Sequence, residues 1–212
     1  MGFLTGGPYY DLIGRTGNNV GRRRKGKNVF SMRPAKSSKQ PTVLQLDQRT
    51  KFGLATSWMS NALSVIQIGY QHYQVNGSSM NSAVKDALDL AITGVSPNFT
   101  LDYQKVLLSK GPLLKARNLT FLSTVPDELS ISWDASVGSG LSSPSDKLVV
   151  FVFSANEWLF VELIGPVTRS ALTYNLSLPS EFSGNTAHIW ISFVSADGKT
   201  VSKSQHKSMS LV

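Results

Sequence analysis

The second half of the chain restricts the fold most. From about residue 113 the sequence breaks into seven short apolar runs, at 118–122, 128–133, 147–154, 158–164, 172–178, 186–194 and 201–211. Turn formers separate them: Pro126-Asp127, Gly138-Ser139-Gly140, Asn156, Gly165-Pro166, Pro179 and Asp197-Gly198-Lys199. Runs of this length between such breaks read as strands. Alternation then puts Leu129, Ile131 and Trp133 on one face of their strand, and Ile189, Ile191 and Phe193 on one face of theirs. Seven short strands in about 100 residues is the count of a β-sandwich.

Upstream the period changes. Thr42 reads as an N-cap, and Leu44, Phe52, Ala55, Met59, Ala62, Leu63 and Ile66 recur at largely helical steps, predicting a helix to about residue 68 with Gly69 as its stop. Ser78 or Ser79 opens a second helix. Met80, Ala83, Val84, Ala87, Leu88, Ala91 and Ile92 keep its period, and Gly94 closes it. Residues 101–109 are predicted as a strand ended by Lys110-Gly111-Pro112. Ahead of the helices, Pro34 to Pro41 reads as a linker. Residues 13–33 read as two strands about a turn at Lys25-Gly26-Lys27, where Gly26 supplies a positive φ. A lone hairpin is marginal in water, so this one is expected to lie on the body or on another chain. The fold class is α+β, in three parts: a basic Gly-rich arm over 1–41, a helical segment with a strand over 42–112, and a seven-stranded sandwich over 113–212.

Charge divides the chain at the same place. The 212 residues carry +8, and residues 1–46 hold nine Lys/Arg against one acid, Asp11. The other 12 basic and 12 acidic residues cancel. The whole excess therefore sits on the N-terminal arm, at Arg15, Arg22, Arg23, Arg24, Lys25, Lys27, Arg33, Lys36 and Lys39. Such an arm serves to neutralise nucleic-acid phosphates, meet an anionic membrane or lace across acidic faces of neighbouring subunits. Extended, some 40 residues would reach roughly 100 Å or more. In strand conformation Arg22 and Arg24 point one way and Arg23 the other.

Two resemblances follow from these residues. Leu129-Ser130-Ile131-Ser132-Trp133 resembles the second strand of a fibronectin type III domain with its buried tryptophan, and Ile189 through Ser204 resembles the last hairpin of such a domain. The usual Pro-rich opening is missing. The series Gly14-Arg15-Thr16-Gly17-Asn18-Asn19-Val20-Gly21, Arg23-Arg24-Lys25-Gly26-Lys27, Arg33-Pro34 and Gln45 through Phe52 is similar to an uncharacterised family of roughly 200-residue proteins from Bacteroidota. A comparable layout occurs in short phage and prophage proteins. The second resemblance spans nearly the whole chain and implies an architecture and a phage context, with no activity attached.

Signals for chemistry are sparse. With no cysteine, disulfides, thiolate metal sites and cysteine nucleophiles are excluded. His72, His188 and His206 have no metal-ligand spacing and read as surface or packing residues. The close acid pairs, Asp127-Glu128 and Asp86/Asp89, sit at a strand entry and on a helix's solvent face. No Gly-x-Ser-x-Gly elbow occurs, and Gly14-x-x-Gly17-x-x-x-Gly21 fits no phosphate loop. Asn98, Asn118 and Asn175 head glycan-acceptor triplets that carry little without a secretory signal. No run of 18 or more apolar residues occurs.

The expectation is a non-enzymatic structural protein of a homo-oligomeric assembly, a phage or prophage virion component in capsid, tail or decoration, without cofactor, metal, membrane span or small-molecule substrate. It would reside in the virion or the cytoplasm of the producing cell. Arg15, Arg22, Arg23, Arg24, Lys25, Lys27 and Arg33 would contact neighbouring subunits or other structural proteins. The alternatives are nucleic-acid binding through Arg22–Lys27, with sequence-independent phosphate contacts, or a surface module holding a glycan or peptide on Trp158, Phe160 and Trp190.

Overall fold

The structure is a computed structural model that describes residues 2–7, 9–24, 26–36, 38–73, 77–135 and 141–212. The chain divides into two compact units, 1–42 and 43–212.

The first unit is a four-stranded antiparallel sheet, β1 (Gly2–Leu4), β2 (Gly14–Thr16), β3 (Asn19–Arg24) and β4 (Lys27–Met32), in the order β1-β4-β3-β2. The β3–β4 hairpin falls where the sequence puts it, with Gly26 at φ +73°. It is not a lone hairpin, however. Two three-residue strands flank it, and residues 9–12 turn across one face. There Tyr9 stacks on Phe30 at 6.1 Å and the Asn28 amide donates to the Tyr10 carbonyl. Gly21 lies beneath this crossing, where a Cβ would stand 2.2 Å from the Leu12 carbonyl oxygen. The predicted hairpin is thus part of a larger folded sheet, in which Phe30 and Asn28 find partners in Tyr9 and Tyr10.

The second unit opens with α1 (Val43–Met59), a 3-10 turn at Ser60–Ala62, α2 (Leu63–Gly69) and α3 (Ser79–Leu90). Ser78 caps α3, its hydroxyl accepting from the Asn81 amide at 3.3 Å. Ala83, Ala87 and Ala91 bury completely along one face at four-residue steps. The smallness of these side chains lets α3 lie close to its neighbours. Gly69 is the last residue of α2, and only glycine fits there because a Cβ would lie 2.2 Å from the Leu108 carbonyl oxygen.

Two details differ from the sequence reading. Ile92 and Gly94 belong to a small hairpin, β5 (Ile92–Val95) and β6 (Asn98–Leu101), rather than to the end of α3. Residues 101–109 are not a strand: Leu101 ends β6, Asp102 caps a 3-10 turn at Tyr103–Lys105, and the rest is irregular. Val106 and Leu108 bury there without strand pairing, and the Ser204 hydroxyl accepts from the Leu108 amide at 3.1 Å in place of a neighbouring strand.

Seven strands follow: β7 (Arg117–Leu122), β8 (Glu128–Asp134), β9 (Lys147–Ser154), β10 (Leu159–Thr168), β11 (Thr173–Ser177), β12 (Thr186–Val194) and β13 (Gln205–Ser210). They form a three-stranded sheet β11-β8-β7 and a four-stranded sheet β10-β9-β12-β13. The last strand begins at Gln205; Val201 and Ser202 make only isolated bridges. The seven strands expected from the sequence are thus present, in two antiparallel sheets whose facing sides share one apolar cluster.

The four-stranded sheet is covered on both sides. Leu148, Val150, Val152, Ile189, Ile191 and Phe193 face the three-stranded sheet. Val149, Phe151, Phe153 and Trp190 face the helices and meet Ala55, Trp58, Met59 and Ile66. Trp58 stands at the centre of that second core, within 5.3–6.0 Å of the rings of Tyr103, Phe151, Phe153 and Trp190. Helices and sandwich therefore share one core. Among the described residues no helix is long and apolar enough to cross a membrane.

Candidate functional site

Strand register sorts the arm's cations by face. Arg24 pairs with Lys27, Arg22 with Val29 and Val20 with Ser31, while Arg15 of β2 pairs with Val20. Cross-strand partners share a face and alternate residues of a strand do too. Arg15, Arg22, Arg24 and Lys27 therefore occupy one face, drawn from three strands. Arg23 lies on the other face, opposite Asn28. Residues 9–12 cross that other face at Phe30 and Asn28, and Arg23 itself stays exposed. Arg33 follows β4, exposed, its amide bonded to the Asn18 carbonyl at 2.8 Å. Lys25 lies outside the described residues.

Arg15, Arg22, Arg23, Arg24 and Lys27 are all exposed. The Arg15 Nε donates to the Gly17 carbonyl at 3.1 Å. Among the described residues Arg22, Arg23 and Arg24 make no ion pair. Like charges directly across a ladder, as at Arg24 and Lys27, repel. Two of the cations gathered on that face, Arg22 and Arg24, are thus exposed and without an ion pair among the described residues.

The body's polar clusters are structural. Arg169 and Asp146 form a buried ion pair at 3.0 Å, with side chains 3% and 2% exposed. The guanidinium also donates to the Leu114 carbonyl at 2.8 Å and stands 3.8 Å over the Phe193 ring, while the Arg169 carbonyl accepts from the Trp133 indole at 2.8 Å. These bonds tie the end of one sheet to the other. Burial lowers the Arg169 pKa, and the Asp146 carboxylate opposes that. A second cluster joins Tyr70, Asp86 and Lys110: the phenol and the ammonium each donate to the same Asp86 oxygen at 3.0 Å. Burial first, then Asp86, pushes the Tyr70 phenol far above its ordinary pKa, so it holds its proton as a fixed donor and serves no base chemistry.

One pairing escaped sequence reasoning. The Nδ1 of His188 and the Nε2 of His206 stand 3.1 Å apart, with rings 5.3 Å between centroids, half-buried beside Tyr103 and Trp190. The two residues are 18 apart in sequence, and only the diagonal across β12 and β13 brings them together. Burial, then the charge of His188, pushes His206 down to about 4, against the opposing pull of Asp102; burial lowers His188. Among the described residues no group of three or more His, Asp or Glu gathers as a metal site would require.

The aromatic trio of the sequence reading separates. Trp190 is 2% exposed inside the helix-side core, where its indole donates to the Val106 carbonyl at 3.0 Å. Phe160 is half-buried, and Trp158 is exposed.

Comparison with known families places residues 11–207 in a match to a family of unknown function (DUF6266). The chain belongs to this family. No curated protein matches it. Among solved structures, the fn3 domain of human collagen alpha-1(XX) is 16% identical, covering 47% of this chain and 86% of that one at a TM-score of 0.34. The chicken CNTN1 FN1–FN3 domains are 13% identical, covering 49% of this chain and 34% of that one at 0.36. The fn3 domain of human contactin 1 is 10% identical, covering 49% and 83% at 0.31. For this chain, the sandwich rests on its own strand order.

Proposed function

We propose that this protein is a non-enzymatic assembly component whose basic N-terminal sheet grips a partner outside its own chain, the sandwich and its helices serving as the rigid module so joined. One observation carries the reading: the register of β2, β3 and β4 collects Arg15, Arg22, Arg24 and Lys27 on a single face. The partner is a subunit of the same assembly; membership in a phage particle rests on the sequence layout alone. Light scattering on the full chain over rising concentration tests this. Mass should grow with concentration at low salt and fall back as salt screens the charges. A monomer under every condition, with no gain on adding any polyanion, contradicts it.

The same face supports a second reading, contact with nucleic-acid phosphates. It requires duplex DNA to bind with an affinity that falls steeply with salt, regardless of base sequence. Serine at Arg22, Arg24 and Lys27 should then abolish binding, and unchanged affinity in that variant ends this reading.

A further inference from the structure

Trp158 is a large aromatic residue with φ at +53°, in the left-handed region that bulky side chains avoid. It is nonetheless 51% exposed. Strain of this kind at an exposed position points to use of the ring. The indole stands edge-on to Phe153 at 5.3 Å and 88°, and to Phe160 at 5.9 Å and 85°. Phe153 and Phe160 are themselves stacked at 5.0 Å. Trp158 and the half-buried Phe160 thus make a right-angled aromatic corner at the head of β10, an edge strand. Acids flank it: Glu157 precedes Trp158, and Glu162, two residues beyond Phe160, shares its face; both are exposed. Among the described residues neither makes an ion pair. Residues 148–168 hold these two glutamates and no Lys or Arg.

An aromatic face beside carboxylates suits a guanidinium, which stacks on the ring while its N–H groups bond the acids. The chain supplies that group in quantity on its own basic sheet. We infer that the Trp158–Phe160 corner, with Glu157 and Glu162, receives arginines from the basic face of a second copy of this chain. This rests on reading the basic sheet as an assembly contact and names its partner.

Charge swapping in the full chain tests it, read by light scattering. Arg22→Glu/Arg24→Glu and Glu157→Lys/Glu162→Lys should each weaken association at least about tenfold. Mixing the two variants in equal amounts should restore it, since each then offers what the other lacks. Trp158→Gly should also lose association while keeping its melting temperature, because glycine adopts positive φ freely. If the arginine swap abolishes association while the glutamate swap and Trp158→Gly leave it intact, the corner is not the receptor, although the basic sheet still grips. If the wild-type chain does not associate, or no variant alters its association, both readings fall.

Discussion

The basic sheet of residues 1–42 and the body of residues 43–212 are held by different forces. In the sheet, the described buried residues are few: Gly21, Asn28 and Val29. Its strands are three to six residues long, and one of its faces carries four cations. The body is electrically balanced and holds two apolar clusters on the two sides of one sheet. Burial on that scale sets stability, while exposed charge sets whom a protein meets. Under the proposed function, the contrast leaves folding to the body and recognition to the sheet.

The largest effects should come from the body. Asp146→Asn would leave the Arg169 charge buried without its partner, at a cost of about 3–5 kcal/mol. At roughly 2–4 °C per kcal/mol for a body of this size, the melting temperature should fall by on the order of 10 °C. Trp58→Ala should cost a similar amount, about 3–5 kcal/mol, through the cavity left between helices and sheet. If helices and sandwich share one core, calorimetry of this variant will show a single lowered transition. Two separated transitions would break the body into independent parts.

Acid should act next, and on the body alone. The folded state holds His188 and His206 below their ordinary pKa, so the unfolded chain binds more protons below pH 6.5. The stability due to this pair is complete above pH 6.5 and declines as pH falls toward about 4, where His206 titrates in the folded protein. Thermal melts across that window should show the decline, and His206→Gln should flatten it. Equal slopes in both proteins would remove the pair from the account.

The smallest stability effect belongs to the sheet. Arg24→Ser relieves a like-charge pair and should change stability by no more than about 0.2–1 kcal/mol, in the favourable direction. Urea titration reads this directly.

How legible this was depended on the length scale of the ordering force. The seven strands of the sandwich were legible because turn residues punctuate them and because each buries an alternating face. The helices covering the four-stranded sheet were also signalled, but not where they dock. That signal was in the run Leu148-Val149-Val150-Phe151-Val152-Phe153, which is apolar at every position because both faces are buried. Strands β1 and β2 had no such pattern, since three residues carry no period. Residues 101–109 misled for a related reason: Val106 and Leu108 are apolar to fill space against the sheet, and the Ser204 hydroxyl rather than a strand meets the amides of Leu108 and Ser109. At the candidate site, Arg22 and Arg24 were assigned a common face from alternation. Adding Arg15 and Lys27 to it required the cross-strand register. The His188–His206 pair had no local signal at all.

The division of labour is tested most directly on one variant, Arg15→Ser/Arg22→Ser/Arg24→Ser/Lys27→Ser, by measuring its melting temperature and its light-scattering mass side by side with the wild-type chain. The account expects an unchanged melting temperature and a loss of salt-sensitive association. A lowered melting temperature with association intact would contradict it.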